Sequence, residues 1–251
     1  MAHWIEESNQ FVEMEELLAL QNKQRICRLA ASEGDIATLR AASTATPLNT
    51  VLDHMRLTLL HVASREGQAA VVKMLLDMFR EDEAFEVFLH AVDNDRMTAI
   101  DYAIEQRHDA IAEVLMERGA GLEGVWLKDR LVEAVTSGEV QEVQRLMRFA
   151  KDSTVAVHST DKEGRSLVHL ALQQSECRSE LVEMLLGFGA DLNGVDFYGN
   201  DVVSEAVALG DPKIDAIFQE DGVDLDRIRR DSLDGLPTAE QDAGQPEVAS
   251  N

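Results

Sequence analysis

The sequence predicts an all-α protein, a stack of about six helix-turn-helix repeats, and three observations point there. The stretch Asp53 to Leu76, DHMRLTLLHVASREGQAAVVKMLL, reads as a short helix, a glycine turn and a second helix. Two helices of about ten residues leave their apolar faces uncovered, so such a unit folds only against neighbours of its own shape. Its spacing then recurs: Thr58 is followed by Ala63, Gly67, Leu75 and Leu76, and matching anchors at 25, 58, 98, 129, 166 and 201 lie 33, 40, 31, 37 and 35 residues apart. With 251 residues, 45% of them hydrophobic, there is material for a substantial core.

Taken in order, residues 1–21 carry five acidic and no basic side chains, with Trp4, Ile5, Phe11, Met14, Leu17 and Leu18 at near-helical spacing, which predicts an N-terminal capping helix. The repeats occupy 22–225. Arg25 leads to Ala30 and Gly34, and an insertion at Thr44–Leu52 follows. After the Thr58 copy a longer insertion, Asp77–Val92, contains EDEAFEVFLH, which is expected to lengthen a helix. Thr98 leads to Ala103, to Arg107 in the glycine place, to Leu115 and Met116, and to Gly119-Ala120. Asp129 leads to Ala134 and Gly138, Ser166 to Ala171 and Ser175, and Asp201 to Ala206 and Gly210; Gln174–Glu180 adds about two residues to its turn. From about Ile228 the periodic apolar residues stop, so 226–251 is expected to be an acidic, disordered tail.

Residue chemistry agrees with this register. Thr58 and Ser166 suit helix N-termini, where a hydroxyl satisfies a free backbone N–H, and His61 and His169 can bond within the same turn. The repeated alanines allow close helix approach. Gly67, Gly138 and Gly210 stand where the chain reverses with positive φ, and Leu75, Leu115, Leu146 and Leu185 supply the inter-repeat core.

TLLHVA at 58–63, SLVHLA at 166–171 and GADLNG at 189–194 resemble the T-P-L-H-x-A and G-A-D-x-N signatures of the ankyrin-repeat family. The departures are that no anchor is followed by proline and that TAIDYA at 98–103 puts Asp101 in the histidine place. The resemblance covers roughly 22–225. It implies an ankyrin-repeat solenoid with projecting hairpin turns, begun here by Asp93, Asp161 and Asp196. It also implies a non-catalytic interaction module or adaptor that binds a protein through its concave surface of hairpin tips and inner helices.

Carried over position by position, the variable surface is His54, Met55, Leu57 and Arg65, then Asn94, Asp95, Met97, Glu105 and Gln106, then Trp126 and Lys128. It continues with Lys162, Glu163, Arg165, Gln173 and Gln174, and with Phe197, Tyr198 and Asn200. Trp126, Phe197 and Tyr198 stand out because large aromatics dominate interface energetics. The competing reading is that these rings pack on neighbouring tips and that Arg65, Lys162 and Arg165 are local salt-bridge partners. Asn193 resembles an asparagine hydroxylated in some family members; a turn-stabilising role is the simpler account.

Composition narrows the function classes. A balance of 47 acidic to 23 basic side chains, net -24, argues against nucleic acid and anionic membranes as partners and suits a basic protein or simple solubility. It motivates an alternative function, an acidic chaperone or escort for a strongly basic client such as a ribosomal or chromatin protein. Cys27 and Cys177 form no disulfide framework, and there is neither an early positive charge nor a run of 18 apolar residues, so a monomer of the cytoplasm or nucleus is expected.

Catalytic signals are absent from the sequence. GAGLEG at 119–124 matches a dinucleotide-binding pattern but follows a helix rather than a strand. The seven histidines form no H-x-x-H or Cys/His cluster, Glu15-Glu16 and Glu81-Asp82 read as solvated faces, and no serine sits in a nucleophile elbow. No enzyme, cofactor or metal is expected.

Overall fold

The computed structural model describes residues 2–44, 47–225 and 228. The expected cap side chains Trp4, Ile5, Phe11, Met14 and Leu17, and the expected tail apart from Ile228, lie outside the described residues. The elements are α1 (Ala2–Glu33), α2 (Ile36–Ser43), a 3-10 turn (Leu48–Thr50), α3 (Leu59–Arg65), α4 (Ala69–Met78), α5 (Phe85–Leu89), α6 (Ala99–Glu105) and α7 (Asp109–Met116). They continue as α8 (Gly124–Thr136), α9 (Val140–Phe149), α10 (Ser153–Ala156), α11 (Leu167–Leu172), α12 (Arg178–Gly187), α13 (Val202–Leu209) and α14 (Pro212–Glu220). Among the described residues none of these helices is long and apolar enough to cross a membrane.

Turn chemistry follows the expected register. Gly34, Gly67, Gly138 and Gly210 have φ of 82°, 76°, 71° and 61°, and Arg107 adopts 60° in the same place between α6 and α7. A left-handed residue there lets the second helix start at once in the reverse direction. The turn from α11 to α12 spans 173–177 against 66–68 between α3 and α4, which accounts for the two extra residues.

Three expectations need correction. The cap and the first repeat helix are one element, because α1 runs 32 residues straight through Arg25, with Cys27, Ala30 and Ala31 buried on one face. Asp129 lies inside α8: buried Leu127, Leu131, Ala134 and Val135 make one continuous stripe, and the helix begins at Gly124. The 77–92 insertion does not extend α4. That helix stops at Met78, Asp82 Oδ1 accepts the Ala84 N–H at 2.9 Å, and the separate helix α5 is held by an edge contact of Phe88 on Phe79 at 5.1 Å.

The chain separates into two compact units, 1–131 with 141–156, and 132–140 with 157–251. In the first, α1 packs on α2 and α3, α3 on α4 and α6, and α6 on α7. In the second, α11 packs on α12 and α13, and α12 on α14 around fully buried Phe218. The four expected core leucines, Leu75, Leu115, Leu146 and Leu185, are completely buried. Each such burial is worth about 2 kcal/mol, the main return on stacking.

Candidate protein-interaction surface

Four hairpin tips precede repeat helices, and each is built on an aspartate. Asp53 Oδ1 accepts the N–H groups of Met55 and Leu57 at 2.8 and 2.9 Å, and Asp93 those of Asp95 and Met97 at 2.8 and 2.9 Å. Asp161 does the same for Glu163 and Arg165 at 3.0 and 2.8 Å, and Asp196 for Tyr198 and Asn200 at 2.9 Å each. One carboxylate thus pins a five-residue turn. Hydrogen bonds from Asn200 and Tyr198 hold the Asp196 carboxyl below the usual range. The residue three beyond each aspartate is left-handed: Arg56 and Arg96 at φ 64° and 63°, Gly164 and Gly199 at 79° and 87°.

Tips are bonded to their neighbours within a unit. In the first unit the Asn94 N–H donates to the Met55 carbonyl at 3.0 Å and its side-chain amide to the His54 carbonyl at 3.3 Å. In the second, the Phe197 N–H donates to the Glu163 carbonyl at 3.0 Å. A Cβ at Gly164 would lie 2.5 Å from the Phe197 ring, so only glycine lets that ring settle there, and the ring is nonetheless 78% exposed.

Below the first three tips sits a reciprocal cap, and below the fourth Asp201 caps α13 by accepting the Ser204 N–H at 2.7 Å. The Thr58 N–H donates to His61 Nδ1 at 3.1 Å, which leaves the proton on Nε2, and Nε2 donates to the Met97 carbonyl at 3.1 Å. His169 repeats this with the Ser166 N–H at 3.1 Å and the Asn200 carbonyl at 3.2 Å. Burial pushes the proton affinity of His61 down. Asp101, in the histidine place of α6, keeps only the cap: Oδ2 accepts the Thr98 N–H and hydroxyl at 2.7 Å each, while Oδ1 is buried without a partner among the described residues. Burial pushes this carboxyl up to about 6.

The residues expected on the working face divide. His54, Asn94, Asp95, Glu105, Gln106, Lys162, Gln173, Phe197, Tyr198 and Asn200 are exposed, and Met55, Arg65, Lys128, Glu163 and Gln174 half-buried. Arg165 is half-buried and held by Asp161 at 2.7 Å, Gln173 at 3.2 Å and Glu163 at 3.5 Å; Arg65 is held by Glu66 at 3.0 Å. Leu57 and Met97 are corrections, buried beneath their tips, with Met97 only 8% exposed. So is Trp126, which lies half-buried in the first turn of α8 rather than on a tip.

Asn193 stabilises a turn, its N–H and side-chain amide donating to Asp191 Oδ1 at 2.8 and 2.7 Å. Gly121 of the GAGLEG stretch meets Lys151, whose Cα would be 2.7 Å from an added Cβ, so that glycine serves close chain approach. Arg56 and Arg96 are the tip residues sequence reasoning missed. Their signal was available: arginine where the other two tips have glycine.

Comparisons with known proteins agree with this geometry. Residues 17–123 match the family model for ankyrin repeats in three copies. XBAT31 of Arabidopsis thaliana, named as a candidate E3 ubiquitin-protein ligase, is 28% identical over 170 residues, covering 62% of this chain and 35% of the relative. The chain therefore spans about a third of the length of that curated relative. An ankyrin repeat domain from Acinetobacter baumannii AYE is similar at TM-score 0.55 and 22% identity, covering 78% of this chain and 97% of the other. The ankyrin repeat domain of Bcl-3, a member of the IkappaB protein family, gives 0.53 and 19% over 77% and 97%. Such domains are generally protein-protein interaction modules without catalysis of their own. Repeat spacing, reciprocal caps, aspartate-pinned tips and these matches converge: residues 17–123 match the ankyrin-repeat model, and the chain has the fold of an ankyrin-repeat solenoid.

Proposed function

We propose that this chain is a non-catalytic adaptor that holds a protein partner on its hairpin tips and the adjoining ends of its first helices. The observation that carries the reading is the pair Phe197 and Tyr198, 78% and 77% exposed on a tip whose backbone Asp196 has already fixed. Rings presented on a preformed turn give up little entropy on binding. In the second unit the partner meets Phe197, Tyr198 and Lys162, with Arg165 as their anchored neighbour; in the first it meets His54, Met55, Arg65, Asn94 and Gln106.

The test is the double variant Phe197→Ala, Tyr198→Ala. Both rings are exposed, so the melting temperature should stay within a few degrees while recovery of partners falls at least tenfold, the scale of a single interface hot spot. Undiminished recovery by a folded variant overturns the proposal.

The charge of -24 favours a second reading, escort of a strongly basic client. That reading requires association to slow steeply as salt rises; on-rates that do not change between low and high ionic strength exclude it. Exposed Arg56, Arg96 and Lys162 on the tips are not what a basic client would select, so the adaptor reading is preferred.

A further inference from the structure

The two insertions that stretch the early repeats meet beside the first hairpin, where the Asn49 side-chain amide donates to Asp82 Oδ2 at 3.3 Å. Between them lies an open groove of about 480 Å³. Its floor is apolar, with Leu52, Phe88 and Val92 around Val87, and Val87 is 74% exposed although it belongs to a helix. Among the described residues, helix α5 therefore keeps an aliphatic edge that no other element covers.

The polar lining is selective. No carboxylate lines the groove among the described residues, although acidic side chains outnumber basic ones two to one in the chain. Arg56 does line it, and His90, also lining, is engaged by Glu86 at 3.4 Å. Among the described residues neither Arg56 nor Arg96 has a carboxylate partner, as is also true of Arg28, Arg40 and Arg80, so the Arg56 guanidinium is free to take one from outside. Arg56 and Arg96 also sit on adjacent bonded tips in the left-handed conformation that the other tips give to glycine. Glycine would fold more easily at both positions. What arginine adds at position 56 is a guanidinium lining an apolar groove.

We infer that this groove docks an extended acidic segment of a partner protein. Aliphatic side chains of the segment seat on Leu52, Val87 and Val92, and one carboxylate pairs with Arg56 in the forked geometry guanidinium favours. A second carboxylate along the segment reaches Arg96. Charge complementarity chooses the occupant, since Arg56 lines the groove and no carboxylate does among the described residues, Asp82 and Glu86 standing at its rim already bonded to Asn49 and His90. The site lies in the first unit and is independent of the surface formed by Phe197 and Tyr198.

The experiment measures anisotropy of a fluorescein-labelled dodecapeptide of alternating glutamate and leucine, titrated with the full chain. Saturable binding is expected. Arg56→Gly should weaken it at least tenfold while raising the melting temperature, because the left-handed strain goes with the guanidinium. Val87→Asp should weaken it equally, and Val155→Asp, which adds the same charge at an exposed valine of α10, should leave it unchanged. Three results would overturn the inference: wild-type affinity in Arg56→Gly, equal losses in the two valine variants, or stronger binding at this groove by the peptide with lysine replacing glutamate. A dimer in sedimentation that Val87→Asp dissolves would assign the groove to a second copy and overturn it as well.

Discussion

Asp101 shows how one substitution changes the chemistry of a repeat. His61 and His169 each bond their own cap and donate to the carbonyl ahead of the next one, but an ionised carboxylate has no proton to give a carbonyl, and the Asp101 Oδ1 is buried without a partner among the described residues. Its folded pKa, about 6, lies above the ordinary 3.8 of the unfolded chain. Native protein therefore binds more protons between these values, and the stability this group contributes is full below pH 3.8 and lost as pH rises through 6. The loss is on the order of 3 kcal/mol. Asp101→Asn should accordingly stabilise the protein at pH 7 by roughly 1–3 kcal/mol and by almost nothing at pH 4, checked by urea unfolding at both values. A gain of the same size at both pH values would show that ionisation is not the cause. The sequence made the Asp101 departure plain; its consequence needed the burial of that carboxyl. Met97 was misread for a related reason, because a tip residue's backbone can be exposed while its side chain turns under the tip.

At the scale of elements, what was legible was local chemistry. Thr58, Thr98, Ser166 and Asp201 all cap the helices predicted from them, because a cap is set by residues within four positions. Arg25 and Asp129 failed because alanine-to-glycine spacing reports where a helix pair turns, and leaves open where the first helix starts. At Asp129 the apolar stripe continues upstream to Leu127, and nothing stops the helix before Gly124, whose φ is 79°. Helix α5 was hidden because EDEAFEVFLH has helical composition throughout, and what separates it from α4 is the Asp82 turn and a ring contact between Phe79 and Phe88. A direct check of the cap account is Ser166→Ala, which removes the acceptor of the His169 N–H and should cost about 1–2 kcal/mol in urea, with Ser166→Thr restoring most of it. Equal losses in both variants would mean the cap is not the source of the stability. The same scale explains why Phe197 and Tyr198 were legible and Trp126 was not: the first two follow a pinned aspartate, while Trp126 depended on the misplaced start of α8.

For the whole molecule, charge is the dominant quantity. A net charge of -24 resists compaction, and at about 10 mM ionic strength its field extends on the order of 30 Å. Raising sodium chloride to about 0.3 M should therefore raise the melting temperature, measured by calorimetry, since screening reaches well within the size of either unit. A fall would mean that attractive pairs such as those of Arg145 with Glu142 and Asp109 outweigh the repulsion. The histidine bridges add a different property. His61 reaches 36 residues forward and His169 31, and neither bond has a counterpart running backward from the same ring. Other bonds between repeats run backward, such as that of His108 Nε2 with the Arg65 carbonyl at 3.2 Å, so the forward reach belongs to the capping histidines alone. Losing the acceptor of either capping bridge strips a buried ring N–H of its partner, whereas losing the ring exposes a carbonyl that water can satisfy, so the two losses are not equivalent perturbations.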